Sequence, residues 1–321
     1  MNIRVKDYLE DLSKCNLPRE NGVILLDNSA FVDDYQSDVH LKHNVLATII
    51  GDKSYFTKFT NHTSIFSDQI CENSEVVNSS VYNELGVNCA DYYPIIMRTE
   101  IGSRVINTPG IISQDLKGIC GYSVVIPLQT AMYQDCVASS GGEIINNNYW
   151  TILKMKDRLV GKYMTEECFN ELVNMFLLDV FSTQRDRHYA NYFLYKGEGE
   201  PLWQGVIAID NALTLQTTHY DRASSAKQLC EQIWEHKYSL MRTFQNTSNM
   251  QSCSSRIQEI NRLIQDGSFN TSQIELLKSI LSYDITSTIS RTEKDKHIIV
   301  SQTQKDLMQY MWERMQNSLE V

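Results

Sequence analysis

Three residues in the second half of the chain have the types and spacing of a phosphoryl-transfer centre. In Ser182-Thr-Gln-Arg-Asp-Arg-His-Tyr-Ala-Asn-Tyr-Phe-Leu194, Asp186 and Asn191 stand five positions apart on one short segment. After a turn-rich stretch, Gly205-Val-Ile-Ala-Ile-Asp-Asn-Ala212 brings a second aspartate, Asp210, to the end of an apolar run. Phosphoryl transfer uses an aspartate that orients the attacking hydroxyl, an amide oxygen that holds a metal, and a carboxylate that holds the same metal. These oxygen ligands suit Mg²⁺, which keeps water and phosphate oxygens in its shell beside one or two side chains. Asp and Asn are common in turns, so the spacing alone decides little. Asp210, together with His188 inside the same segment, gives the pattern its weight.

The neighbouring segments read as the elements that must position these groups. Val206 to Ile209 has the β-branched composition of a buried strand that would carry Asp210 toward the loop. Thr165 to Phe181 has helical periodicity, with Thr165 and two glutamates as a start signal, and would deliver the chain directly into the Asp186 segment. Upstream, Val45 to Phe59 reads as two short strands around a Gly51-Asp52 turn. Its alternation sets Lys58 opposite the face of Tyr55, Thr57 and Phe59. Ser74 to Gly86 predicts a helix from Val77, Val81 and Leu85, stopped by Gly86, with Glu75 in its first turn. Ala90 to Met97 and Arg104 to Ser113 read as two more strands with a Gly102-Ser103 turn between them.

Asp186-Arg-His-Tyr-Ala-Asn191-Tyr-Phe resembles the D-x-H-x-x-N-F/Y catalytic loop of the HipA-like bacterial Ser/Thr protein kinases, and Ile209-Asp-Asn-Ala212 resembles their metal-binding step. The size and layout are nearest to the short stand-alone, CtkA-like members, without the extra N-terminal domain of the toxin HipA proteins. Phosphoinositide kinases, with a D-R-H-x-x-N loop, are more distant. The resemblance implies an α+β, two-lobed protein-kinase-like fold, with a small β-rich N-lobe over residues 1–116 and a larger helical C-lobe over 117–321. It also implies use of ATP and Mg²⁺, and transfer to a Ser or Thr hydroxyl of a protein substrate or of the chain itself. In that scheme Asp186 orients the acceptor hydroxyl, His188 braces the loop, and Asn191 and Asp210 hold the metal. Lys58, held by Glu75, binds the α/β-phosphates, and the backbone of Ser113, Gln114 and Asp115 meets the adenine edge as the hinge. One part departs from the pattern. Kinases cover the phosphates with a glycine-rich turn, whereas Leu26 to Tyr35 has no glycine and three aspartates.

Composition narrows the alternatives. At 321 residues and 42% hydrophobic content, the chain has ample material for two cores. A net charge of −10 disfavours nucleic acid and anionic membrane surfaces as partners. Residues 211–223 hold a single Arg222 and no lysine, which speaks against an inositol phosphate headgroup. A nucleotide-binding pseudokinase remains the other alternative within the same fold, and a helical interaction protein would require the motif to be coincidence. Eight cysteines without a C-x-x-C pair read as buried thiols of a reducing compartment, and His40 and His43 lack a second ligand pair for zinc. With no apolar stretch of membrane-spanning length, the expectation is a cytoplasmic protein or a secreted effector. Ser224 to Phe244, Ser254 to Gln265, Ser272 to Ser282 and Gln302 to Ser318 read as helices. Residues 138–148 and 286–297 read as mobile surface loops that could accept phosphate in cis.

Overall fold

Alternating burial builds the first half of the chain into a sheet, and helical periodicity dominates the second half. The computed structural model describes residues 11–27, 30, 45–50, 53–59, 68–116, 124–140, 151–184, 189–209, 225–235 and 252–321. Six strands form the larger sheet: β1 (Arg19–Glu20), β2 (Val23–Asp27), β3 (Val45–Ile50), β4 (Lys53–Phe59), β5 (Tyr92–Ile101) and β6 (Arg104–Gln114). Their order is β1-β2-β5-β6-β4-β3, with β2 and β5 parallel and every other pair antiparallel. The two hairpins expected from the sequence, β3 with β4 and β5 with β6, are both present, and Gly102 supplies the left-handed residue of the second turn at φ +62°.

Register decides what each face of this sheet does. In the β4–β6 pair Lys58 lies opposite Ile111, and Thr57 lies opposite Ile112. Tyr55, Phe59, Tyr93, Ile95 and Ile112 therefore share one face and form their own core with Ile24 and Leu26. Lys58 shares the other face with Ile111, and Ile111 packs with Val76, Val77 and Tyr82 of α1 (Asp68–Glu84). Gly110 is needed where β6 crosses β4, because a Cβ there would meet the Lys58 carbonyl oxygen at 2.5 Å.

Helix α1 starts six residues earlier than the sequence predicts, at Asp68 rather than Ser74. Its first turns, Asp68 to Asn73, are mostly polar and carry no apolar period, so nothing in the pattern marks the start. Glu75 consequently stands in the body of the helix, not in its first turn, and is held by packing rather than by the helix terminus.

The second half contributes a three-stranded sheet of β7 (Val124–Pro127), β8 (Tyr192–Lys196) and β9 (Gly205–Ala208), in that order. Eight more helices are described: α2 (Leu128–Ser140), α3 (Ile152–Leu159), α4 (Glu166–Phe181), α5 (Ala226–Glu235), α6 (Cys253–Gln265), α7 (Thr271–Leu281), α8 (Ile285–Lys296) and α9 (Gln302–Ser318). Thr165 caps α4 as expected, its hydroxyl accepting the Cys168 amide at 3.1 Å. The expected helix from Ser224 is described only as far as Glu235.

Residues 286–297 overturn the loop expectation, since α8 occupies 286–296 behind an Asp284 N-cap and His297 is its C-cap. Ile285, Thr288, Ile289 and Thr292 are buried along one stripe of this helix, which leaves Thr288 and Thr292 closed to phosphorylation in the folded chain. The stripe docks on the back of α1. Glu84 at the end of α1 accepts Tyr283 Oη at 2.7 Å, Thr288 Oγ1 at 2.8 Å and the Arg291 guanidinium at 2.5 Å. Asn73 Nδ2 donates to the Ile299 carbonyl at 2.7 Å, and Gln304 Nε2 to Ser74 Oγ at 3.4 Å.

Removing the acceptor of three donors should cost roughly 1 to 3 kcal/mol. Glu84→Ala is expected to lower the urea midpoint with an unchanged denaturant slope. An unchanged midpoint would mean that α8 is held on α1 by its apolar contacts alone.

Candidate active site

The lysine half of the site is built by the register of β4 and the packing of α1. Lys58 Nζ donates to Glu75 Oε2 at 3.2 Å. The glutamate is 1% exposed and the lysine side chain 35%, so the pair has one buried member and one that reaches solvent. A buried carboxylate is tolerated only where donors meet it. In return it fixes the direction of a long, flexible amine, which then presents a cation on the α1 face of the sheet.

The loop half is built around the end of α4 and the start of β8. Ser182 closes α4, and Thr183 then takes a left-handed conformation at φ +51°. For a β-branched residue this costs on the order of 1 to 3 kcal/mol. The strain bends the chain immediately before residues 185–188. The chain resumes as a single 3-10 turn, Tyr189–Asn191, with Asn191 buried. Its carbonyl accepts the Ile209 amide at 2.9 Å, so Asn191 is tied to the residue that precedes Asp210. Strand β9 is fixed along its length as well. The Val206 amide donates to Glu171 Oε2 at 3.2 Å, the Ala208 amide to the Asn88 carbonyl at 3.1 Å, and the Ala90 amide to the Ala208 carbonyl at 3.0 Å.

The structure thus brings Lys58 to Glu75, and Asn191 to the end of β9. Asp186, His188 and Asp210 lie outside the described residues, as do the Gly51-Asp52 turn and the 31–35 part of the segment expected to cover the phosphates. Among the described residues no group of three His, Cys, Asp or Glu side chains is placed to hold a metal. The hinge expectation meets a constraint at Asp115. Its amide donates to the Ser54 carbonyl at 2.9 Å, while Ser113 is paired with Phe56 on one side and Tyr92 on the other. A nucleobase at this edge would have to use carbonyl acceptors or the amides that follow Asp115.

Two residues that hold the site were not anticipated. Glu171 and Asp179 both lie in α4, and a carboxylate within the apolar run Met175 to Phe181 is a signal that the sequence does carry. Burial pushes the Glu171 carboxyl up to about 7, and the Val206 amide and the Asn88 side chain oppose that shift. The same burial, with Glu171 beside it, pushes the Cys168 thiol well up. The five cysteines at 15, 89, 168, 230 and 253 are free thiols.

No family model matches the sequence, and no curated protein matches it. Among solved structures, the Helicobacter pylori proinflammatory kinase CtkA is similar over 92% of this chain and 95% of its own, with a TM-score of 0.61 at 13% identity. HipA of Shewanella oneidensis MR-1, in its toxin–antitoxin complex with HipB and operator DNA, gives a TM-score of 0.48 at 9% identity. That match covers 89% of this chain and 65% of HipA, and its superposition is too loose to add weight. The chain therefore has the α+β, two-lobed protein-kinase-like fold seen in CtkA, with a small β-rich lobe and a larger helical one.

Glu171 gives the fold a pH signature. With its ordinary value at 4.5 and its folded value at about 7, the folded state holds a proton that the unfolded chain releases. Stability should accordingly fall as pH rises from 4.5 to about 7 and level off above, a loss of roughly 3 kcal/mol. Melting curves between pH 5 and 8 should converge for wild type and Glu171→Gln at the acid end, with Glu171→Gln the more stable at pH 8. Parallel curves would mean that this carboxyl does not titrate in the window.

Proposed function

We propose that the chain is an ATP-dependent Ser/Thr protein kinase of the HipA-like, CtkA-like type, with residues 1–116 as the N-lobe and 117–321 as the C-lobe. The observation that carries this reading is the Lys58–Glu75 pair at 3.2 Å, set between strand and helix in a chain whose other half ties Asn191 to the residue before Asp210. Lys58 would bind the α/β-phosphates, oriented by Glu75. The oxygen donors of Asn191 and Asp210 fit Mg²⁺, and their common anchor at Ile209 supports a shared ion. Mg²⁺ supplies charge neutralisation on the phosphates, and ATP supplies the γ-phosphoryl group. Asp186 would orient the acceptor hydroxyl and take its proton as the new P–O bond forms and the bond to ADP breaks, with His188 bracing the loop. Adenine would lie against the edge at Ser113 to Asp115, met through backbone groups other than the Asp115 amide.

A protein acceptor, in cis or in trans, is favoured over lipid by the net charge of −10 and by the absence of lysine in residues 211–223. The same charge disfavours nucleic acid as a partner. No helix among the described residues is long and apolar enough to cross a membrane.

Lys58→Ala should abolish transfer of radiolabelled γ-phosphate per folded molecule and also lower the melting temperature, because it takes a donor from the buried Glu75 carboxylate, and Lys53→Ala should be nearly silent in both. In the same preparation MgATP should raise the melting temperature, and both EDTA and Asp210→Ala should remove that shift. At 100 times its dissociation constant a ligand adds roughly 2.7 kcal/mol. Wild-type activity in Lys58→Ala removes this lysine from the mechanism, and a nucleotide shift indifferent to EDTA removes the metal.

Asp186→Asn should keep ATP affinity within a few-fold yet lose orders of magnitude in rate, because the loop aspartate acts mostly in the transition state. Phosphosite mapping by mass spectrometry, with phosphatidylinositol offered in parallel, should place phosphate on Ser or Thr in wild type only. Lipid product without phosphoprotein overturns the protein-kinase reading in favour of the phosphoinositide one. Nucleotide binding without any transfer overturns it in favour of a pseudokinase.

A further inference from the structure

We propose that Asp179 is a positioning residue that locks the two halves of the site, Glu75 on α1 and Asn191 before β8, into one unit; the proposal rests on the kinase reading above. Asp179 lies in the last turn of α4 and has no solvent exposure. Each of its carboxylate oxygens takes one tyrosine hydroxyl: Oδ1 accepts from Tyr82 Oη and Oδ2 from Tyr192 Oη. Both tyrosines are themselves fully buried, and Ser182 Oγ stands 3.1 Å from Tyr82 Oη.

What matters is where the two donors come from. Tyr82 is on α1, seven residues after Glu75 and so two turns along the same face of the helix. Tyr192 follows Asn191 directly and opens β8. The Asp179 carbonyl accepts the Gln184 amide at 3.0 Å, which pins the chain just before residues 185–188. A single residue therefore reaches the lysine-orienting helix, the entry to the loop and its exit. An apolar side chain would fill the same space without the cost of burying a carboxylate. What the carboxylate adds is direction, because each oxygen fixes one hydroxyl and with it one functional neighbour. Displacing a reacting group by about 1 Å costs up to a hundred-fold in rate, so this rigidity acts on turnover as well as on folding.

The test uses Tyr82→Phe, Tyr192→Phe and Asp179→Asn in the full chain, with Glu231→Gln, which weakens the distant Arg314–Glu231 surface pair, as the control. The two tyrosine variants lose one hydroxyl each and keep the test available if Asp179→Asn does not fold. Tyr82→Phe should act through Glu75 and raise KM for ATP roughly ten-fold with kcat little changed. Tyr192→Phe should act through Asn191, lower kcat roughly ten-fold and move the Mg²⁺ requirement upward. Asp179→Asn, where folded, should show both effects, and the control neither. If the tyrosine variants only melt earlier, with wild-type KM, kcat and Mg²⁺ dependence per folded molecule, Asp179 is structural and the proposal fails alone. If wild type itself transfers no phosphate, the kinase reading fails and takes this role with it.

Discussion

The carboxylate of Glu75, almost without exposure in the body of α1, has to be met by donors, and Lys58 reaches it from the sheet. Much of the surrounding structure follows from satisfying that one contact. Lys58 must be on the α1 side of the sheet, which the register opposite Ile111 secures, and β6 must pass close enough to β4 that only glycine fits at position 110. Helix α1 must also be unable to turn or slide. Hydrogen bonds hold it at Asn73, Ser74, Tyr82 and Glu84, to partners that all lie beyond residue 178. The position of one amine on a strand of the small lobe is thus set by helices of the large one.

The loop half obeys a different constraint. Among the described residues, the 3-10 turn at Tyr189–Asn191 and strand β9 are held by hydrogen bonds to neighbouring segments as well as by the small sheet. Glu171 and Asn88 each supply one acceptor to β9 and Asn191 one to Ile209 just after it, and Thr183 stores strain where the chain leaves α4. Strand and helix carry the Lys58–Glu75 pair, and a short 3-10 turn tied to the end of β9 carries Asn191.

Both hairpins of the sheet, the cap of α4 and the position of Lys58 were legible in the sequence, because each rests on a local signal: a turn, a side-chain oxygen three residues before an amide, an alternation. The start of α1 and the whole of α8 were not. In α8 half of the buried stripe is threonine, which counts as polar in any pattern. Thr288 is buried because Glu84, 204 residues earlier, accepts its hydroxyl. Helix α2 was missed for a related reason, since its buried Leu128, Ala131 and Met132 share the helix with an exposed Tyr133 and a buried Asp135. That aspartate is paired with Arg158 and Lys162, which come from elsewhere in the chain. For α8 and α2 a partner distant in sequence changes what a residue is, and a one-dimensional pattern does not contain the partner.

The clamp on α1 also sets the order in which the chain can assemble. Asn73 waits for Ile299, 226 residues later, and Glu84 for Thr288 and Arg291. The hairpins β3–β4 and β5–β6 can pair as they leave the ribosome, because their partners are close in sequence. The back of α1 has no cover until α8 has been made. During synthesis this helix is left with an unsatisfied face from residue 84 until residue 285 is reached, a stretch in which transient exposure favours association with other chains. Closing so many non-local contacts at the end makes the last step slow by topology. A nascent chain stalled before residue 285 would keep the Lys58–Glu75 and Tyr82–Asp179 contacts but lack the partners of Asn73 and Glu84.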